Sequence, residues 1–312
     1  MRRRFALVHN QTAGLAIPLL LSRVLHELKV RGAEVVPLLA RSADEARDQV
    51  RRMAAGRTCE AVIAAGGDGT FRAVASGAAG SSLPVGFIPL GTGNVLKFEL
   101  GLTSDARRLA ETLVEGPDIP VRGGLVNGAP FFLMVGAGYD GRIVANLDQR
   151  AKRVLGRAAY TMPVLQALAK GAEVFDVEAD GKAFEASWVI VTNASHYGGS
   201  FVLTKDTHLS AAGLTVTIIE AKSRFGLVGA TIALGLGRLA RAATRPSFIK
   251  AIAAKTVRIG RRVPTEIEID GDASGSSPVE VVAAGPEVRV IAPAAYVAAL
   301  TNRHTNHVTS VL

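Results

Sequence analysis

The 312-residue chain carries 36 Lys and Arg against 27 Asp and Glu, a net charge of +9, and 48% of its residues are hydrophobic. That apolar share excludes a disordered chain, the length suits two domains, and the basic excess favours anionic partners: nucleotides, nucleic acid or an acidic membrane surface. One cysteine, Cys59, excludes an internal disulfide framework and a Cys-rich metal site. In chain order, "RFALVHN" reads as a strand. "IPLLLSRVLHELKVRG" is a helix with Leu20, Leu21, Val24, Leu25 and Leu28 on one face, Pro18 in its first turn and Gly32 past its end. "EVVPLLA" is a second strand, and Ser42 and Glu45 have capping-box spacing at the head of "ADEARDQVRRMAAG". "CEAVIAA" and "LPVGFIPL" are further strands, and "DARRLAETLVEG" is another helix. Alternating strands and helices imply an α/β, Rossmann-like domain with a parallel sheet, expected over residues 1–122.

Beyond Gly123 the pattern changes to hairpins. "GGLVNGAPFFLMV" carries Asn127-Gly128, and "VFDVEADGKAFEASWVIV" carries Asp180-Gly181, both signals for two-residue turns. "LTVTIIEA", "TVRIG", "TEIEIDGD", "VEVVAAG" and "EVRVIAP" read as more antiparallel strands. Helical inserts are expected around 143–170 and 227–243. The result is a mostly antiparallel β-sandwich domain over residues 123–295. A polar tail, 296–312, is expected to pack back on the first domain. Nothing at the start resembles a signal peptide, and the longest apolar run, "FGLVGATIALGLG", falls short of the ~20 residues a spanning helix needs. The expectation is a cytoplasmic protein that touches a membrane only at its surface.

Chemistry concentrates in the turns that end the strands. "GGDGT", Gly66–Thr70, follows a strand and opens a helix. Glycines there let backbone N–H groups approach a ligand, and a helix N-terminus adds positive potential, which together make a phosphate cradle. A carboxylate inside such a cradle implies an intervening cation, so Asp68 points to a magnesium nucleotide, held directly or through water. The competing account is a tight turn with Asp68 as a helix cap. "IPLGTGN", ending at Asn94, repeats the arrangement one strand later with Gly91, Thr92 and Gly93. A third polar turn, "HNQTAG", follows the first strand.

At these residues the sequence resembles the diacylglycerol kinase catalytic-domain family, which includes bacterial lipid kinases and sphingosine kinases. "GGDGT" matches in full, "PLGTGN" matches the second nucleotide loop, and "NQTAG" has Gln11 where the family has proline. "VGAGYDGRIV", "TNASHYGGSF" and "EIDGD" are similar to later motifs, the last with Asp272 for glutamate. The resemblance implies a nucleotide-binding domain, a sandwich domain and an active site in the cleft between them. It implies transfer of the γ-phosphoryl group of ATP, with Mg2+, to a lipid hydroxyl, most often that of diacylglycerol. Carried over by motif, Asn10, Gly66, Gly67, Asp68, Gly69, Thr70, Gly91, Thr92, Gly93 and Asn94 hold the nucleotide. Asp68 supports the metal–phosphate assembly, and Asp270 is the general base. Read without the resemblance, Asp270 is an ordinary hairpin residue of an Asp-Gly pair; Asp140 is the next carboxylate in line.

The chain departs from the family at Val95, where many relatives have Asp, and at Ala73, a frequent Glu. These departures keep open a nucleotide- or lipid-binding regulator without catalysis, and the shared GGDGT motif keeps open another kinase such as an NAD kinase. The basic segments "RRRF", "QRAKRVLGR" and "GRLARAATR" are solvated faces or contacts for an anionic membrane. With 5% aromatic residues and no basic–aromatic interleaving, no nucleic acid partner is expected. The partners expected are a lipid substrate and the membrane surface, with a homodimer left open. His196 and His208 are secondary candidates.

Overall fold

The computed structural model describes residues 1–9, 18–204, 207–239 and 248–309. The chain divides into two compact units: Met1–Val121 with the described residues from Glu287 on, and Arg122–Pro286.

The first unit is an α/β layer structure. Its strands are β1 (Arg4–His9), β2 (Glu34–Leu38), β3 (Ala61–Gly66), β4 (Val85–Pro89) and β5 (Asp118–Arg122). Its helices are α1 (Leu19–Val30), α2 (Ala43–Gly56), α3 (Asp68–Ala78), α4 (Val95–Glu99) and α5 (Ala106–Glu115). The central strands are buried on both faces, as a sheet covered by helices requires: every residue of β3 and β4 is inaccessible to solvent. β1 pairs in parallel with both β2 and β3, and β3 with β4. α1 buries Leu21, Val24 and Leu28 from its expected face. Pro18 sits just before the helix, as its N-cap. Ser42 caps α2 by accepting from Glu45 N (3.1 Å), but the Glu45 carboxylate accepts from Arg41 N (2.8 Å), one residue before the Ser42 N–H that a capping box would use.

One strand differs from its sequence expectation. "EVRVIAP" forms β20 (Glu287–Ile291), which is not part of the sandwich: it runs antiparallel to β5, with Ala292 N donating to Pro117 O and Gly123 N to Pro286 O. It lies parallel to β4, Val290 opposite Val85, and completes a six-stranded sheet ordered β2-β1-β3-β4-β20-β5. Arg289 anchors it, its Nε donating to Asp118 Oδ2 (2.6 Å) on β5. Burial explains the placement: Val288, Val290 and Ile291 are apolar and fill the gap between β4 and β5. A last helix, α10 (Ala294–Thr309), follows.

The second unit is a sandwich of two six-stranded sheets. One is ordered β10-β9-β16-β19-β6-β7, from β6 (Gly124–Val126), β7 (Ala129–Phe131), β9 (Phe175–Ala179), β10 (Lys182–Ala186), β16 (Thr256–Ile259) and β19 (Val279–Val282). The other is ordered β15-β14-β11-β8-β17-β18, from β8 (Met134–Gly138), β11 (Trp188–Thr192), β14 (Leu214–Ile219), β15 (Ile249–Ala254), β17 (Glu266–Ile269) and β18 (Asp272–Ser276). A short hairpin, β12 (His196–Tyr197) and β13 (Phe201–Val202), stands apart. Phe131, Val135, Phe175, Val189, Val216 and Val281 belong to the core between the sheets. Asn127-Gly128 and Asp180-Gly181 close hairpins with both residues at positive φ, the geometry of a type I′ turn. The outer side of the second sheet carries α6 (Tyr139–Ala145), followed by α7 (Gln149–Leu155), a single 3-10 turn (Gly156–Tyr160), α8 (Thr161–Lys170) and, later, α9 (Arg224–Gly235). Among the described residues no helix is long and apolar enough to cross a membrane.

Candidate nucleotide and phosphoryl-transfer site

β3 and β4 are neighbours and parallel, so the two glycine loops that follow them leave the same edge of the first unit's sheet, where open α/β sheets bind ligands. The loops touch backbone to backbone. A Cβ on Gly91 would fall 2.7 Å from Gly67 Cα and 2.7 Å from Asn94 Oδ1, so only glycine admits this approach. Leu90 N and Gly91 N both donate to Gly66 O, at 2.9 and 3.2 Å. Asp68 is the clasp. Its Oδ2 accepts from Val95 N (2.9 Å) and its Oδ1 from Leu96 N (3.2 Å), so the first residue of α3 caps the first turn of α4. Asn94 enters that turn in the left-handed conformation, φ 48, and its Nδ2 donates to Gly91 O.

The structure thus brings Gly66, Gly67, Asp68, Gly69, Thr70, Gly91, Thr92, Gly93 and Asn94 together. Asn10 lies outside the described residues. Two polar atoms at the second loop, Thr92 Oγ1 and Asn94 Oδ1, are buried without a protein hydrogen-bond partner. Val95 and Ala73, the family departures, are both buried apolar residues. No group of three or more His, Cys, Asp or Glu able to hold a metal exists among the described residues. Asp68 is the carboxylate that bridges the two loops. Both of its oxygens already accept backbone N–H bonds, so contact with a nucleotide-borne magnesium ion would use their remaining lone pairs or an intervening water.

In the second unit, Asp270 and Gly271 form the turn between β17 and β18, both at positive φ. The Asp270 carboxylate is buried. It accepts from Phe132 N (3.1 Å), Leu133 N (2.9 Å) and Met134 N (3.0 Å), while its own N–H donates to Met134 O. It is therefore more than a solvent-facing turn residue: it anchors the entry to β8.

Beside it lies a buried acidic pair that sequence reasoning reached only in part. Gly136 has no Cβ because the space is filled by Asp140 Oδ2 and Glu268 Oε1, which lie 2.0 and 2.7 Å from where that carbon would be. Both oxygens are buried and face the same point, with the Trp188 indole also beside Asp140, a setting in which one of the two carboxyls holds a proton. Glu268 Oε2 accepts from Gly271 N (2.7 Å) and so supports the Asp270 turn. Tyr197 donates its hydroxyl to Asp140 Oδ1. Burial pushes Asp140 up to about 6, against the pull of the Tyr197 hydrogen bond. Burial and then the Asp140 charge push Glu268 well above the carboxylate range. Burial also raises Tyr197, with Asp140 adding to it, so this phenol stays a donor. The pair joins three sequence motifs, "VGAGYDGRIV", "TNASHYGGSF" and "EIDGD". Glu268 went unseen because "EIEI" reads as a strand with its glutamates outward.

The sequence matches two family descriptions end to end: diacylglycerol kinase catalytic domain over residues 4–126, and YegS C-terminal NAD kinase beta sandwich-like domain over residues 133–295. The chain belongs to the diacylglycerol kinase catalytic-domain family. That membership makes it a lipid kinase, a phosphotransferase. It is 27% identical over 300 residues to a diacylglycerol kinase of Bacillus subtilis, covering 93% of this chain and 97% of that protein. Against a diacylglycerol kinase of Mycobacterium tuberculosis it is 27% identical over 277 residues, 85% of this chain and 87% of the other. It is also 26% identical to an uncharacterized Synechocystis protein, using 80% of its own length and spanning 60% of that protein's. Among solved structures, a diacylglycerol kinase from Bacillus anthracis shares the fold with a TM-score of 0.71, at 20% identity, over 94% of this chain and 98% of that one.

Proposed function

We propose that this family member transfers the γ-phosphoryl group of ATP to the free hydroxyl of diacylglycerol, giving phosphatidic acid and ADP. The observation that carries the reading is the Asp68 clasp, which fixes two glycine loops together at adjacent strand ends. In this reading the loop N–H groups and α3 hold the phosphates, and Asp68 supports magnesium brought by the nucleotide. Magnesium, when bound, neutralises charge on the β- and γ-phosphates. The lipid hydroxyl oxygen forms a bond to the γ-phosphorus as the bond to the β-bridging oxygen breaks, and Asp270 takes the hydroxyl proton. The three N–H bonds it accepts hold this carboxylate in a fixed orientation. The enzyme acts as a peripheral protein of the cytoplasm that meets its substrate at a membrane.

The test is transfer of label from γ-labelled ATP, with magnesium, to a panel of diacylglycerol, monoacylglycerol, sphingosine, ceramide and NAD. Labelled phosphatidic acid is the expected product. Label on NAD alone, or on no acceptor at all, would overturn the reading in favour of another GGDGT kinase or of a non-catalytic regulator.

A further inference from the structure

α9 is apolar on both of its faces. Ser223 caps it, accepting from Gly226 N (3.3 Å), and Leu227, Ala230 and Leu234 are buried beneath it. A helix with a satisfied inner face normally turns charged residues outward. Here the outer stripe is Phe225, Gly229, Ile232 and Leu236, at the i, i+4, i+7, i+11 spacing of one helix face. Phe225 is 80% exposed, Ile232 56% and Leu236 61%. α8 packs against α9 and adds two exposed apolar side chains, Met162 and Leu165. Large apolar side chains left exposed at one helix spacing mark a binding face.

Charge identifies what the face meets. Lys222 and Arg224 stand exposed where α9 begins, and Arg238 stands exposed just past its end. An apolar stripe flanked by cations matches an anionic bilayer, with apolar side chains at the acyl boundary and cations at head-group level. A second copy of the chain fits less well, because a two-fold contact would set these same cations against one another.

We propose that the outer face of α9, with Met162 and Leu165 of α8, seats the protein on an anionic membrane. The inference rests on the lipid-kinase reading for its purpose, but the binding is measured without turnover. The experiment uses the full chain and two vesicle types, phosphatidylcholine alone and phosphatidylcholine with a third of phosphatidylglycerol. Wild type should pellet with the anionic vesicles and release at high salt. Phe225→Glu and Ile232→Glu should each weaken that partition by ~10-fold or more, since each removes a large side chain from the interface. Ile232→Gln should also weaken it, which separates lost apolar contact from added negative charge. Phosphorylation of lipid dispersed in detergent micelles should be unchanged in all three. Vesicle binding equal to wild type in these variants would overturn the proposal. So would a wild-type dimer in sedimentation that the variants convert to monomer, which would assign the face to a second copy. Variant-sensitive vesicle binding with no micellar phosphorylation by wild type would overturn the kinase reading and leave the docking face standing.

Discussion

Replacing Asp270 by Asn tests two of its roles at once. The Asp270 carboxylate accepts three backbone N–H bonds, two on Oδ1 and one on Oδ2. An asparagine retains one accepting oxygen. If that oxygen keeps Leu133 N and Met134 N, the new amide nitrogen faces Phe132 N, donor against donor. Two charge-assisted bonds become neutral and one buried donor loses its acceptor, a cost of about 3 kcal/mol in total. For a unit of this size that is roughly a 10 °C fall in Tm. The proton acceptor is lost as well, so kcat should fall by roughly 10²–10⁴-fold. KM for ATP should hold, because the glycine loops belong to the other unit. Calorimetry and steady-state kinetics, run well below the variant's Tm, separate the two effects. Asp272→Asn is the control, changing a carboxylate two residues away that makes none of these three bonds. An unchanged Tm would refute the hydrogen-bond argument. Near-wild-type kcat in the folded variant would refute the base, and Asp140 would be tested next.

Asp68→Asn should abolish transfer and also lower stability by about 2 kcal/mol, because it disrupts the clasp onto Val95 N and Leu96 N; thermal melts alongside activity check this. Gly91→Ala should raise KM for ATP several-fold, since its Cβ would meet Gly67 Cα at 2.7 Å and part the loops; nucleotide titration reads it directly. Asp140 and Glu268 bind protons more tightly folded than unfolded, so the stability they lend is full at low pH and fades as pH rises through about 6 and beyond. Glu268→Gln removes one of the two titrating carboxyls and keeps the shape of its neutral form, so its Tm should gain on wild type as the buffer is taken from about pH 5 to about pH 8. Parallel Tm–pH curves would remove the bound proton.

Much of the fold was written locally. Type I′ turns at Asn127-Gly128 and Asp180-Gly181 follow from residues that tolerate positive φ, and α1 buries residues its spacing marked. The glycine loops were legible for the same reason: close approach demands glycine whatever surrounds it. What escaped was decided at long range. β20 looks like any short apolar strand, and only the gap between β4 and β5 gives it a parallel partner. Glu268 was hidden by alternation, which predicts it outside with Glu266. The alternation holds, but α6 covers the face it assigns to solvent, with Gly141 against the Glu266 carbonyl. Asp68 read as a metal partner or a cap of its own helix; the helix it caps is α4, a tertiary contact that no spacing within "GGDGT" encodes.

The position of β20 has a consequence for biosynthesis. β4 and β5 are made early, yet the strand between them is supplied only after the whole sandwich has been translated. While the ribosome synthesises residues 122–286, β4 presents an unpaired edge, the kind of surface that recruits foreign strands. The sandwich can fold on its own schedule, but the nucleotide-binding sheet has to wait for its last strand. Chains released before Glu287 should therefore carry a folded sandwich beside an incomplete, aggregation-prone partner. Chaperone dependence should peak in that interval.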